Sequence, residues 1–117
     1  MISKKFRLSE KEVKKVLRIG KPFFSYGLVL NFLPNKLAYN RYSIVIGGKS
    51  VHSSVERNFF RRRFFDEVKD SIFSGGGKYN DFVFVVKKEN KLDKKDKKNI
   101  NAYKRDIFFL SSKIISK

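Results

Sequence analysis

From His52 to Ile72 the chain reads HSSVERNFFRRRFFDEVKDSI, with no glycine or proline until the glycines at 75–77. At about 100° per residue, Phe60, Phe64, Val68 and Ile72 fall on one apolar stripe, each a turn from the next. A helix carrying that stripe must bury it, so the rest of the chain has to supply an apolar surface. Ser53 and Ser54 are its candidate N-caps, and it is expected to run to about Phe73. Arg57, Arg61, Arg62 and Arg63 are interleaved with Phe59, Phe60, Phe64 and Phe65, and Asn58 sits inside the run. Arg61 and Arg62 fall beside or opposite the stripe. A helix that buries one side and presents arginine on another is suited to reading a polyanion backbone. The planar guanidinium donates two parallel hydrogen bonds and keeps its charge near neutral pH.

The charge balance points the same way. Lys plus Arg number 28 against 11 acidic residues, a formal net charge of +17. Such self-repulsion in a globular domain implies a strongly anionic partner, with nucleic acid ahead of an anionic membrane or an acidic protein. A hydrophobic fraction of 41% with 13 Phe rules out a disordered tail. The length suits one domain, 1–117, with a short basic arm over about residues 1–7. The absence of cysteine excludes disulfides and thiolate zinc sites. The single histidine, His52, argues against a His-based metal centre or a His-dependent triad, and is read as a surface or capping residue. Nothing resembles a signal peptide or a membrane span, which leaves a soluble, cytoplasmic chain with no membrane partner.

Along the chain, Ser9 and Glu12 have capping-box spacing, and Leu8 and Val13 stand at the staple positions around it. Val13, Val16 and Leu17 make the apolar face of a short helix closed by Gly20 and Pro22. Phe23 to Leu33 reads as strand, with Gly27 marking either a bulge or a break into two strands. Pro34-Asn35 is a turn signal, and Tyr39 to Ile46 a further extended segment. The string Gly47-Gly48-Lys49-Ser50 lacks the glycine that a phosphate loop needs at position 43, where Ser43 stands. Phe82 to Val86 is a continuous apolar run, fit for a strand buried on both faces. Asp93 or Asp96 caps a last helix with Ile100, Tyr103, Ile107, Leu110 and Ile114 on one side. The coarse order is helix, two or three strands, helix, strand, helix: an α+β sandwich with one sheet covered by helices.

This pattern resembles the protein subunit of bacterial ribonuclease P over most of its length. The resemblance rests on RLSEKEVKKVLRIGK, then YGLVLNFLP, the basic helix VERNFFRRRFFDEV, the strand DFVFVVKK and the C-terminal amphipathic helix. Arg57 and Asn58 match the opening of the family's Arg-Asn-Arg motif, while Phe59 replaces its third residue. Arg61 and Arg62 match the following basic pair. Arg63 stands where the family usually has an aliphatic residue, and Phe65 where it often has arginine.

The resemblance implies a two-layer α+β sandwich of ribosomal-protein type. It would have three helices and a four-stranded mixed sheet in the order α-β-β-β-α-β-α, with a left-handed crossover through the central basic helix. It implies an accessory subunit of a ribonucleoprotein endonuclease that removes the 5′ leader of precursor tRNA. Its partners would be the catalytic RNA and precursor tRNA, with no obligate protein partner. Mg2+ would sit on the RNA, which does the chemistry, so no catalytic or metal-ligating residue is expected in this chain. Arg57, Asn58, Arg61, Arg62 and Arg63 would bind RNA, with Lys49 and Lys87 as further phosphate contacts. A cleft between the first helix and the sheet would hold the leader, at Val13, Leu17, Asn31 and Phe32; Phe24 and Tyr26 are further aromatics near it. Asp66 and Asp70 are read as intrahelical partners for basic residues rather than magnesium ligands. The alternative is a non-enzymatic, ribosomal-type RNA-binding protein. A major-groove DNA reader is disfavoured, because strands rather than a tight helix-turn precede the basic helix.

Overall fold

The computed structural model describes residues 3–51, 53–74 and 77–115, with the backbone alone at 113–115. His52, Gly75, Gly76 and the Ile114 side chain lie outside the described residues, and so do the roles expected of them.

The first helix, α1 (Glu10–Ile19), begins as its spacing requires. Ser9 Oγ accepts from the Glu12 N–H at 3.3 Å, and Glu12 Oε1 accepts from the Ser9 N–H at 2.9 Å. Two otherwise orphaned donors of the first turn are thereby satisfied. Leu8 and Val13 pack around Val16 and Val83, as a staple should. Gly20 ends α1 in a crowded spot, where an added Cβ would stand 2.8 Å from the Phe32 carbonyl oxygen. Pro22 does not stop the helix; it lies inside the next strand, β1 (Lys21–Phe24).

Gly27 marks a break. The aromatic run divides there into β1 and β2 (Leu28–Asn35), which pair antiparallel. Pro34 and Asn35, expected in a turn, are instead the last residues of β2, opposite Asn80 and Tyr79 of β4 (Tyr79–Val86). The β1 ladder reaches only to Phe32, so the sheet is one-sided at Pro34 and a missing N–H is tolerated. β3 (Arg41–Val45) completes the sheet in the order β1-β2-β4-β3. β3 and β4 are parallel, joined by a crossover through α2 (Ser54–Val68). With α3 (Lys97–Ile115), the three helices and four-stranded mixed sheet follow the expected order. Asp96, rather than Asp93, caps α3: its Oδ1 accepts from the N–H groups of Lys98 and Asn99 at 3.0 and 3.3 Å.

The period of two divides the sheet's side chains between two environments. Leu28, Leu30, Tyr42, Ile44, Phe82 and Phe84 share one core with Phe60, Phe64 and Val68 of α2 and Tyr103, Ile107 and Leu110 of α3. On the other face Val83 packs under Val16 and Leu8, with Val13, Leu33 and Val85 around them. β4 is thus covered on both sides, which accounts for its unbroken apolar run.

One expectation about α2 needs correction. Its α-helical part stops at Val68 and passes into a 3₁₀ turn, Lys69–Ser71, instead of continuing to Phe73. The buried Asn40 takes up the carbonyls left behind, donating from Nδ2 to Ser71 and Ser74 at 2.8 and 2.7 Å and from its N–H to Ile72 at 2.7 Å. Ile72 still reaches the core. Phe65, where the family often has arginine, is buried edge-on against Phe64 at 5.2 Å.

A polar tether crosses the sheet at the opposite side from this core. Arg41 grips Asp81 with both ends of its fork, Nε to Oδ1 at 2.9 Å and Nη2 to Oδ2 at 2.8 Å. Its Nη1 reaches Glu12 on α1, and Asn35 Nδ2 donates to Asp81 Oδ1 at 2.9 Å. Removing one partner of such a pair leaves a buried charge uncompensated. Arg41→Leu is expected to cost about 3 kcal/mol of stability, read from urea unfolding; a loss below about 1 kcal/mol, the range of exposed pairs, would show the tether to be incidental.

Candidate nucleic-acid interface

Burying the phenylalanine stripe fixes the rotation of α2, and rotation decides where each basic side chain goes. Arg57, half-buried in the first turns, reaches the loop after β3; a Cβ on Gly48 would stand 3.6 Å from its Nη1. Its Nη2 also donates to Ser54 Oγ at 3.3 Å. Arg61 lies at the sheet edge, lining a groove with Lys4, Lys5, Arg7 and residues of β3. The amino-terminal segment forms the far wall, held beside β3 by the Leu8 N–H donating to the Tyr42 carbonyl at 3.0 Å. Arg61 Nη1 donates to Asn58 Oδ1 at 3.0 Å, which orients the asparagine along the helix surface.

Arg62 and Arg63 point outward and line a second groove with Asn58, Phe59, Asp66 and Lys94. The Arg63 guanidinium lies over the Phe59 ring, 5.1 Å from its centroid. Phe59 itself is half-buried and edge-on to Phe60 at 5.2 Å. The basic side chains therefore fan around the amino-terminal two-thirds of α2 instead of forming a single stripe. Among the described residues, no ion pair involves Arg57, Arg61, Arg62 or Arg63. The carboxylate pairs that do form engage Lys14, Arg41 and Lys104.

Lys49 and Lys87 sit at the same end of the sheet, because parallel β3 and β4 finish together. Lys49 is exposed in the loop after β3, and its carbonyl accepts from Lys91 Nζ. Lys87 directly follows β4, and its Nζ lies over the Phe24 ring at 5.9 Å. The carbonyl of Lys87 accepts from Ser50 Oγ at 2.9 Å, so the two lysine-bearing segments are tied together.

The cleft residues separate. Leu17 projects from α1 with 42% of its surface exposed, and Asn31 is half-buried on the sheet face that α1 covers, opposite Val83 and Pro22. Val13 is packed between Leu8, Val16 and the sheet and serves the core more than the cleft. Phe32 faces the other way. Strand alternation puts it on the helix-α2 side, stacked on Phe23 at 5.7 Å against the main core. Phe24, in register with Val29, occupies the α1 side and is 64% exposed, so it takes the aromatic place expected of Phe32. Lys4 and Lys5 of the basic arm, and Lys94 before α3, join the basic surface through the tertiary approach of their segments to α2.

A family model described as Ribonuclease P matches residues 2–105. The chain belongs to the ribonuclease P protein family. The RNase P protein of Staphylococcus aureus superposes with a TM-score of 0.69 at 16% identity, over 94% of this chain and 97% of that one. That of Thermotoga maritima gives 0.69 at 21% identity, over 92% and 96%. A Staphylococcus aureus RNase P protein mutant described as defective in mRNA degradation activity gives 0.63 at 17% identity, over 73% and 71%. No curated protein matches the chain. The family match selects the ribonuclease P subunit, a component of a tRNA-processing ribonucleoprotein, over the ribosomal-type alternative. It also implies association with the RNase P RNA subunit. No helix among the described residues is long and apolar enough to cross a membrane.

The tether bears on the placement of α1, because Glu12 holds that helix to the sheet. Burial alone would push the Glu12 carboxyl up, but hydrogen bonds from Ser9 and the charge of Arg41 hold it below its ordinary value. A depressed carboxyl contributes stability above its unfolded value and loses it as pH falls through the folded one. Glu12→Gln should therefore be less stable than the parent near neutrality. The gap should close as pH falls below the ordinary value of 4.5, as read from urea midpoints down to about pH 3. A gap that persists in acid would mean that the carboxylate charge is not what holds the helix.

Proposed function

We propose that the chain binds the catalytic RNA of ribonuclease P through the arginine fan of α2, and holds the 5′ leader of precursor tRNA between α1 and the sheet. The observation that carries this reading is the set of guanidinium groups at 57, 61, 62 and 63, buttressed by buried phenylalanines and left without carboxylate partners among the described residues. Forks held on a rigid helix lose little entropy when they meet phosphate. Asn58 adds a directional hydrogen bond, and Lys49 and Lys87 extend the positive field around the ends of β3 and β4. The leader would lie against Leu17, Asn31 and Phe24, through backbone contact and stacking.

The chemistry is assigned to the RNA. Mg2+ held by that RNA would supply an activated water and charge neutralisation. Among the described residues no group of three or more His, Cys, Asp or Glu side chains is placed to hold a metal ion. Asp66 lies in the groove with Arg62 and Arg63, where a carboxylate is surrounded by cations rather than by further ligands. The protein's contribution is electrostatic and positional, in a cytoplasmic particle.

Reconstitution with a bacterial ribonuclease P RNA at low Mg2+, scoring leader removal, tests the assignment. The chain should lower the Mg2+ needed for cleavage. Arg61→Ala combined with Arg62→Ala should weaken assembly and reduce the slope of log K against log salt by roughly 1 to 2, since fewer counterions are released. Unaltered cleavage across Mg2+ concentrations would refute the function, and an unaltered slope would refute the role of these two arginines.

A further inference from the structure

Far from the arginine fan, the outer side of α3 carries aromatics that no core explains. Phe108 is 72% exposed and Tyr26, at the β1–β2 turn, 93% exposed. With Arg105, Asp106, Phe109 and Ser112 they line one open groove of about 720 Å³. The turn that presents Tyr26 is not a loose tip. Gly27 is buried, and a Cβ there would meet Asn90 Nδ2 at 2.3 Å and Asp106 Oδ2 at 2.9 Å. Asn90 Nδ2 donates to the Gly27 carbonyl at 3.2 Å, and the Lys87 N–H donates to the same carbonyl at 3.0 Å. Asp106 on α3 is hydrogen-bonded by the Gly27 backbone and by Ser25. The turn is thus clamped to α3, and the tyrosine is held out in water beside the phenylalanines.

Charge decides what such a surface can receive. A second copy of a chain with net charge +17 is repelled. The carboxylate in the groove, Asp106, is engaged with the turn, and both Arg105 and Lys87 act on it electrostatically. Lys87 also lies over Phe24, on the α1 side of the sheet. Aromatic faces beside cations therefore continue from the cleft, past Lys87 and around the turn, to α3. Stacked bases with a phosphate backbone match that sequence of surfaces.

We infer that the groove between Tyr26 and the Phe108–Phe109 side of α3 binds single-stranded RNA, extending the path of the leader beyond the cleft. This rests on the leader reading above, and adds to it a second stacking platform at which the more distant nucleotides lie.

The test uses holoenzyme reconstituted with ribonuclease P RNA and precursor tRNAs with leaders of about 4 and about 16 nucleotides. Tyr26→Ala combined with Phe108→Ala should weaken binding of the long-leader substrate by about 5-fold or more, with short-leader binding unchanged. Tyr26→Phe combined with Phe108→Tyr should restore it. Both sites are exposed, and an unchanged unfolding midpoint keeps the comparison clean. Equal effects at both lengths, or none at either, overturn the inference. So does a dimer of the parent chain in sedimentation that the alanine pair dissolves, since the groove would then belong to a second copy. Leu17→Ala with Asn31→Ala separates the two ideas: no effect at either length removes the cleft, while a length-dependent effect of the aromatic pair still supports the groove.

Discussion

The aromatic packing of α2 onto the parallel part of the sheet is the contact on which the remaining architecture depends. Phe64 sits edge-on to Phe84 at 4.9 Å and to Tyr42 at 6.4 Å, so one side chain engages both strands joined by the crossover. Phe60 meets Tyr103 of α3 at 5.0 Å, and the Tyr103 hydroxyl donates to the Phe60 carbonyl at 2.8 Å. These contacts fix the depth and rotation of α2 together. A helix bearing so many arginines repels itself, and the apolar face must hold it in place against that repulsion. The arginine surface is the remainder of a helix whose other side is committed to the core.

The polar tether plays a complementary part. Apolar contacts between α1 and the sheet are few, centred on Val16 and Val83. The Glu12–Arg41–Asp81 chain adds direction, joining the first turn of α1 to two parallel strands. Glu12 serves twice, closing the capping box with one oxygen and pairing with Arg41 through the other. The directional tether fixes where α1 lies on the sheet.

Local signals in the chain were faithful where the interaction was local. The Ser9–Glu12 box, the Ser53 cap and the stripe Phe60–Phe64–Val68–Ile72 depend on near neighbours in sequence, and spacing reports those. Local reading failed where the partner was remote. Asn40 takes the Ser71 carbonyl beyond α2 from 31 residues upstream in sequence, Pro34 stays in a strand because β1 stops short, and Phe32 serves the core. Residue type cannot report any of these, since each depends on which strand lies alongside.

By itself the sequence determined that a basic helix with a phenylalanine face must lie on a sheet, that the partner is a polyanion, and, through its motif residues, the family. Those follow from composition and short-range spacing, which persist in any arrangement of the elements. Only the tertiary structure decided that the arginines fan in three directions, that Phe24 rather than Phe32 lies on the α1 side of the sheet, and that the turn carrying Tyr26 is clamped to α3. Strand register and helix rotation are set by long-range packing, and a one-residue change in either reverses which side a residue faces.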